Sequence, residues 1–534
     1  MGTLWYGGTV YTMGNANDTV EAIYTEGSQI KAAGNEHDLR ALYAAAISKE
    51  VNLERMTLLP GFTDSHLHLI GHGEKLMRLD FSAMESHKEI QEALVHKIEE
   101  TPSGEWIIGE GWNENQLQEG YMFDRSVLDK MSSDHPIVLK RICRHAILVN
   151  SAALMAAGIT EKTADPAGGI IERREDGSLT GLLLDRAQDI VLFETMPPVS
   201  KEYIKKALYL AVHDCFRHGL VGGHSEDLSY YGAMDLPIKA YQEVLSKELP
   251  FKAHLLIHHF VMDEFARKAI PENRYMEFGA IKIFADGSLG GRTALLSEPY
   301  LDEPDVSGVA VHTQSELNEL VYKARKIGKE IAIHVIGDKA FEMALNAVKA
   351  HPPASGQKDR FIHAQILRPD LMERARYTPI ILDIQPGFTA SDFPWVIDRL
   401  GEERLTYSFA WKTLLDLGIP CAGGSDAPIE PINPLHGIHA AVTRKSIHTP
   451  DEPGYFMKEA LSMYEAIRLY TAGSAKAIHK EAERGKIEAG YDADFTVLDH
   501  DPFQMENPDK LLETSVVMTI AEGEMVYRKK SSAE

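Results

Sequence analysis

His66 and His68 stand two residues apart in the stretch PGFTDSHLHLIGHG. On a β-strand that spacing puts both imidazoles on one face, where they can grip a single metal ion. The chain has 23 histidines, so an isolated pair of this kind carries little weight. Its place at the end of an apolar run adds to it, because barrel enzymes gather their active-site residues at the carboxyl ends of strands. The same placing recurs: IAIHVIGD carries His334, RFIHAQ carries His363, and PCAGGSD ends on Asp426. Imidazole with carboxylate suits zinc, iron, manganese or nickel. Taken singly, each residue reads as well as a capping aspartate or a histidine satisfied by backbone. Four strand ends converging on one barrel mouth is much harder to ascribe to chance.

The run AIKIFADGSLGGRT, residues 280–293, sets a lysine among apolar neighbours. Alternation puts Ala280, Lys282 and Phe284 on one face of a strand, with Ile281 and Ile283 on the other. A buried ammonium is costly, and burial favours the neutral amine. A neutral amine can take up carbon dioxide to become a carbamate, a two-oxygen anion able to bridge two metal ions. The competing expectation is an ion pair with Asp286, four residues on and in the following loop. Two look-alike motifs fall away. DGSLGGRT lacks the G-x-x-x-x-G-K-[ST] pattern of a phosphate loop. GGSDA (423–427) approaches the G-x-S-x-G elbow of serine hydrolases, yet Pro428 and Pro431 follow where an elbow should enter a helix.

These residues need elements to position them. Apolar strand-like runs fall near 58–66, 219–225, 252–258, 278–285, 330–335, 360–365, 379–385 and 419–426. Helical patterns such as SKEYIKKALYLAVHDCFRHG and DKAFEMALNAVKA lie between several of them. This alternation predicts an α/β fold, a (β/α)8 TIM barrel over 58–483. The segment 75–200 breaks the alternation and reads as an insertion after the first strand. It holds the turn-rich IIGEGWNENQLQEGYMFDRS and the hairpin-like GGIIERREDGSLTGLLLD. A second irregular stretch, 297–313, follows the fourth strand as a candidate lid. The two chain ends share a texture of short strands split by turns, so one small β-sandwich domain built from 1–57 and 484–534 is expected.

A chain of 534 residues is long enough for a large domain and something smaller. Its hydrophobic content of 44% and charged content of 25% are those of a globular protein. A formal net charge of −24 argues against nucleic acid or an anionic membrane as partner. Cys143, Cys215 and Cys421 are too few and too scattered for a disulfide framework and read as reduced thiols. The first residues show no basic segment followed by a long apolar run, and no uncharged stretch approaches the ~18–20 residues of a membrane span. A cytoplasmic location is expected.

His66-x-His68, Lys282, His334, His363 and Asp426, in this order on strands one, four, five, six and eight, resemble the binuclear amidohydrolase superfamily. WIIGEGWNENQL, AILVNSAAL, IKIFADGSLGGRTA, HVIGDKA, IHAQ and GGSDAPIEPINPL are similar to its amidohydrolase-3, or YtcJ-like, branch. That branch includes an N-substituted formamide deformylase. The likeness runs nearly the whole length and includes the tail GKIEAGYDADFTVLD. The resemblance implies that His66, His68 and Asp426 hold one divalent ion and that His334 and His363 hold the other, zinc being the first choice of metal. Lys282, carboxylated by carbon dioxide, and a hydroxide would lie between them. The implied reaction is hydrolysis of an amide-like C–N bond in a small N-acyl or N-formyl substrate, with Asp426 passing the proton to the leaving nitrogen. A homodimer fits this picture. His72 lies outside the family pattern and is expected beside the site or at the surface.

Substrate contacts are sought near the barrel mouth, at Trp112, His145, Arg292 and Phe388. By the resemblance, His145 in RHAILVN contacts a substrate carbonyl or oxyanion. HSED (224–227) ends the second strand and reads as a satisfied polar strand end. Two other classes compete. A mononuclear aminohydrolase (deaminase) would carry His-x-x-Glu on strand five, where here VIGD follows His334. A metal-free structural or regulatory relative would have lost ligands, and all six positions are present.

Overall fold

Eight apolar runs become eight parallel strands of one sheet in the computed structural model, which describes residues 2–114, 116–141, 145–447, 449 and 451–530. They are β1 (Phe62–Leu67), β2 (Leu220–Ser225), β3 (Lys252–His258), β4 (Met276–Phe284), β5 (Ile331–Val335), β6 (Asp359–His363), β7 (Ile380–Ile384) and β8 (Cys421–Gly423). Each pairs with the next in chain order. Helices such as Lys201–Arg217, Gln314–Lys326 and Asp338–Ala350 run between strands and cover the outside. A parallel sheet covered on both faces needs apolar residues in both phases, and β6 and β7 are buried at every position. Inside, Leu256, Ala280, Ala332 and Ile362 pack as one layer from four neighbouring strands. Lys282, two residues beyond Ala280 on the same face, rises directly above that apolar floor. The barrel expectation holds.

β8 and β1 close the barrel without a regular ladder. The Asp426 N–H donates to the His66 carbonyl and the His68 N–H to the Ala427 carbonyl, each at 2.7 Å. The Asp64 carboxylate accepts from the backbone N–H groups of His66 at 2.9 Å and Ser425 at 3.0 Å. Gly424 permits this approach, because a Cβ there would lie 2.5 Å from the His66 nitrogen.

The first apolar run, read as 58–66, proves to be two strands. Thr57–Pro60 pairs with Phe495–Leu498 in a different sheet, and only Phe62 onward enters the barrel. Gly61 makes the handover, since a Cβ would meet Val221 Cγ2 at 2.6 Å. Both segments are apolar, so hydrophobicity carries no mark of the break. The other sheet joins the chain ends. Gly2–Tyr11, Thr19–Glu26, Gln29–Gly34, Ile47–Asn52 and Thr57–Pro60 connect through Phe495–Leu498 to Val516–Ala521 and Glu524–Arg528. Trp5 and Phe495 meet edge to face at 5.7 Å in its core. At the start of β3, the buried Lys252 reaches Asp492 at 2.6 Å, Asp494 at 2.5 Å and Glu522 at 3.0 Å, which ties this sheet to the barrel.

Residues 73–200 form a second compact unit. Its six-stranded sheet runs in the order Gly169–Arg173, Leu179–Asp185, Ala146–Val149, Ile137–Arg141, Ile107–Trp112, Leu79–Asp80. The stretch read as turn-rich therefore begins as a strand, and Ile107 and Trp112 are buried with Phe81, Ile90 and Leu128. The hairpin-like stretch is an antiparallel pair. Cys215 and Cys421 are buried free thiols, while Cys143 lies outside the described residues. Among the described residues no helix is long and apolar enough to cross a membrane.

Candidate active site

The carboxyl ends of β1, β4, β5 and β6, with the turn after β8, bring His66, His68, Lys282, His334, His363 and Asp426 together. The Lys282 Nζ lies 3.1 Å from His66 Nε2. Asp426 Oδ1 lies 3.5 Å from His66 Nε2 and 3.4 Å from His68 Nε2. The His363 ring sits 5.8 Å from the His66 ring and 4.5 Å from the His334 ring. Two of these residues, His363 (φ 76°) and Asp426 (φ 57°), adopt the left-handed backbone region that non-glycine residues seldom enter. Such strain gathers at functional sites, where the surrounding structure over-determines it.

Neighbouring groups decide which ring nitrogen His68, His334 and His363 turn inward. The Glu226 carbonyl engages His68 Nδ1 at 2.7 Å, leaving Nε2 toward Asp426. The Gly287 carbonyl engages His334 Nε2 at 3.1 Å, which leaves Nδ1. The Gln385 amide oxygen engages His363 Nδ1 at 2.7 Å, which leaves Nε2. Metal-binding histidines ordinarily give their other nitrogen to such a group.

Burial sets the protonation of the site. It pushes Lys282 down to about 8, against the opposing pull of Glu226 and Asp426. It drives His66 and His334 well below the ordinary imidazole range, with Lys282 adding to the effect, and brings His363 to about 4. These three imidazoles are held neutral at neutral pH. Burial opposes charge on His68 too, but Asp426 outweighs it and lifts that imidazole to about 9. Asp426 stays below its ordinary value despite burial, because the His68 imidazole stands 3.4 Å from its Oδ1.

This donor set fits a divalent metal. His66, His68 and Asp426 each offer one ligand atom, and the three lie within 4.8 Å of one another. Asp426 Oδ1 is buried and makes no hydrogen bond among the described residues. The ion-pair expectation for Lys282 is not met: the Asp286 carboxylate accepts from the N–H groups of Leu295 (2.9 Å), Ile336 (3.1 Å) and Gly337 (2.8 Å) instead. Asp286 thus binds the loop after β4 to the turn after β5. That loop, the candidate lid, is further held where the Ser297 N–H donates to Asp338 at 2.8 Å and the Leu301 N–H to the Arg399 carbonyl at 2.8 Å.

The residues sought as substrate contacts scatter. Phe388 is buried and stacks on the His363 ring at 5.8 Å. Arg292 pairs with Asp302 at 2.7 Å within the loop after β4. Trp112 is a core residue of the second unit, its Nε1 donating to the Leu139 carbonyl at 3.4 Å. His145, in the same unit, is exposed beside Asp185 at 3.1 Å. His72 is buried and bonds to Asp214 at 2.9 Å.

Several residues at the site carried no sequence signal. Gln385 is one. Arg360 is another, buried in the barrel, donating to Asp383 at 2.7 Å and to the Ser65 carbonyl at 2.6 Å, so that β6 braces the peptide before His66. HSED proves only partly satisfied. Asp227 accepts from Ser225 and Tyr241, but the Glu226 carboxylate accepts from Tyr230 at 2.5 Å through one oxygen and leaves the other without a hydrogen bond. Tyr230, half exposed, lies 6.0 Å from the His68 ring.

A parallel barrel with a His-x-His, lysine, histidine, histidine and aspartate set at its strand ends defines a metal-dependent amidohydrolase. Residues 49–527 match the Amidohydrolase family (Amidohydro_3), and the chain belongs to it. It is 52% identical to the YtcJ protein of Bacillus subtilis, named as an amidohydrolase, over 99% of this chain and all of that one. It is 28% identical to the N-substituted formamide deformylase of Arthrobacter pascens, over 98% of each. Among solved structures it resembles an uncharacterized metal-dependent hydrolase from Pyrococcus furiosus, with a TM-score of 0.77 and 27% identity, over 94% of this chain and 100% of that one. The chain is a hydrolase of carbon–nitrogen bonds that uses divalent metal and takes a small-molecule substrate.

Proposed function

We propose that the bond cleaved is a neutral amide, N-acyl or N-formyl, and that the centre is binuclear, with Lys282 carboxylated between the two positions. The observation that carries this is Lys282 itself: a fully buried amine, pushed down to about 8, with its nitrogen against His66 and no carboxylate at ion-pair distance among the described residues. A buried amine with no counter-ion is an unstable arrangement that a carbamate and cations together resolve. His66 Nε2, His68 Nε2 and Asp426 would hold one ion, and His334 Nδ1 and His363 Nε2 the other. When bound, the two ions supply a water of lowered pKa and a Lewis acid for the substrate carbonyl. Asp426, ionised and next to both His66 and His68, takes the proton of the attacking water on Oδ1 and returns it to the leaving nitrogen. Tyr230, half exposed beside His68, forms part of the wall against which the substrate rests.

One observation favours a mononuclear centre. His66, His68 and Asp426 are the single set of three metal-ligand atoms found close together among the described residues. Metal analysis of protein purified without chelators decides between them: about two ions per chain supports the binuclear reading and about one the mononuclear. A screen of N-formyl and N-acyl amines against free aminopurines and aminopyrimidines then tests the reaction. Turnover confined to the amino heterocycles would replace amide hydrolysis with deamination.

A further inference from the structure

We propose that Gln385 is the positioning residue for the second metal position, holding His363 with Nδ1 protonated and Nε2 directed inward; this rests on the binuclear reading above. β7 contributes no ligand to the site. Immediately after its last residue, Ile384, the chain places Gln385, Pro386, Gly387 and Phe388, and two of these four close on His363. Gln385 meets the ring edge and Phe388 its face, the latter nearly parallel at 25°.

The direction of the Gln385 amide is fixed. Its Nε2 donates to the Asp383 carbonyl at 3.1 Å, and a carbonyl can only accept. The other end of the amide is therefore the oxygen, and the His363 nitrogen 2.7 Å from it must be an N–H donor. Both partners are buried, so water does not compete for the bond. A histidine with one N–H on Nδ1 carries its lone pair on Nε2, and this ring lies 5.8 Å from that of His66 and 4.5 Å from that of His334.

His363 has particular need of such a hold. It and Ala364 are consecutive left-handed residues, at φ 76° and 48°, so β6 ends in a kink rather than in a strand that would aim the ring by itself. His66, by contrast, lies inside β1, where the seam bonds and Asp64 fix the backbone. The two metal positions are thus supported by different elements, the first by the β8–β1 seam and the second by the chain leaving β7. Loss of the Gln385 contact should weaken one position and spare the other.

The test compares Gln385→Met, of similar size but with only a weak thioether acceptor, with Gln385→Glu, which in its protonated form keeps both the acceptor for His363 and the donor to the Asp383 carbonyl. Metal content is measured after reconstitution with zinc, and the absorption spectrum after reconstitution with cobalt. The expected result is two ions for wild type and for Gln385→Glu. For Gln385→Met, one ion stays tight and the other is weakened about 10–100-fold, with a cobalt spectrum of a single site. Two ions of unchanged affinity in Gln385→Met, or a double loss that Gln385→Glu does not rescue, would overturn the proposal. A crystal structure of zinc-loaded wild type provides a check independent of how the variants fold. His363 bound through Nε2 with Nδ1 on Gln385 supports the assignment, and a flipped ring defeats it. Wild type that holds a single ion at saturation defeats the binuclear reading and the role of Gln385 with it. Two ions in wild type with no effect of Gln385→Met leaves the centre standing and removes Gln385 alone.

Discussion

At the scale of single residues, Lys282 shows how far chemistry can be read before coordinates. A lysine at alternation distance from Ala280 and Phe284 has to be buried, and the structure leaves it almost no exposed surface. The six candidate positions stood out because each is a titratable residue in or at the end of an apolar run. Gln385 and the Gly287 carbonyl were not, since an amide and a main-chain oxygen carry no such mark and matter only through the ring they touch. Removing the amine while keeping the volume separates the roles of Lys282. In Lys282→Met the apo protein should be at least as stable as wild type, because an unpaired buried amine costs free energy and a thioether does not. Its kcat/KM for an amide substrate should fall about 1,000-fold or more, the loss of several kcal/mol of transition-state stabilisation. Thermal unfolding in chelator and steady-state kinetics read the two effects separately. A variant that loses stability in chelator yet keeps its turnover would mean that Lys282 is a packing residue.

At the scale of elements, all eight barrel strands stood out as apolar runs, but the joints between elements did not. The handover at Gly61 is invisible to hydrophobicity, because both flanking segments are apolar and only the close approach of Val221 requires the glycine. The β8–β1 seam is a second such joint, and its geometry ties folding to function: the bonds that close the barrel are made by the backbone of His66, His68 and Asp426 themselves. Gly424→Ala tests this link. The added methyl would lie 2.5 Å from the His66 nitrogen and 2.7 Å from Asp64 Oδ1, neither of which can yield without moving β1. A loss of about 1–3 kcal/mol is expected, the usual cost of overpacking, together with weaker metal binding at the His66–His68–Asp426 position. Gly34→Ala, at a position with nothing within 4 Å, serves as the neutral control. Denaturant titration and metal competition measure the pair, and equal behaviour of the two variants would sever the seam from the site.

At the scale of the whole molecule, the sequence ends were recognisable by texture, whereas the fold of 73–200 was not: its first long strand lies in a stretch rich in glycine, asparagine and glutamate. What joins the terminal sheet to the barrel was equally hidden, because Lys252 meets acids some 240 residues and more away in the chain. Burial alone would lower the pKa of this amine, but Asp494 and Asp492 outweigh it and hold the lysine above its ordinary value of 10.5. The sign follows from linkage. The folded state binds this proton more tightly than the unfolded chain does, so the contribution is fully present below 10.5 and is lost as the pH rises through the higher folded value. Lys252→Met takes the buried cation from among Asp492, Asp494 and Glu522, leaving Arg484, 3.2 Å from Asp492, and Arg274, 2.6 Å from Glu522, at the edge of the cluster. Breaking a buried pair in this way costs about 3–5 kcal/mol, far more than an exposed pair would. The deficit should be full at neutral pH, should change little with added salt because the group is shielded from solvent ions, and should narrow only above 10.5. Urea denaturation of both proteins at low and high salt, repeated at alkaline pH, measures all three. A deficit that disappears in salt at neutral pH would show that Lys252 acts as a surface charge and that the terminal sheet is held to the barrel by other means.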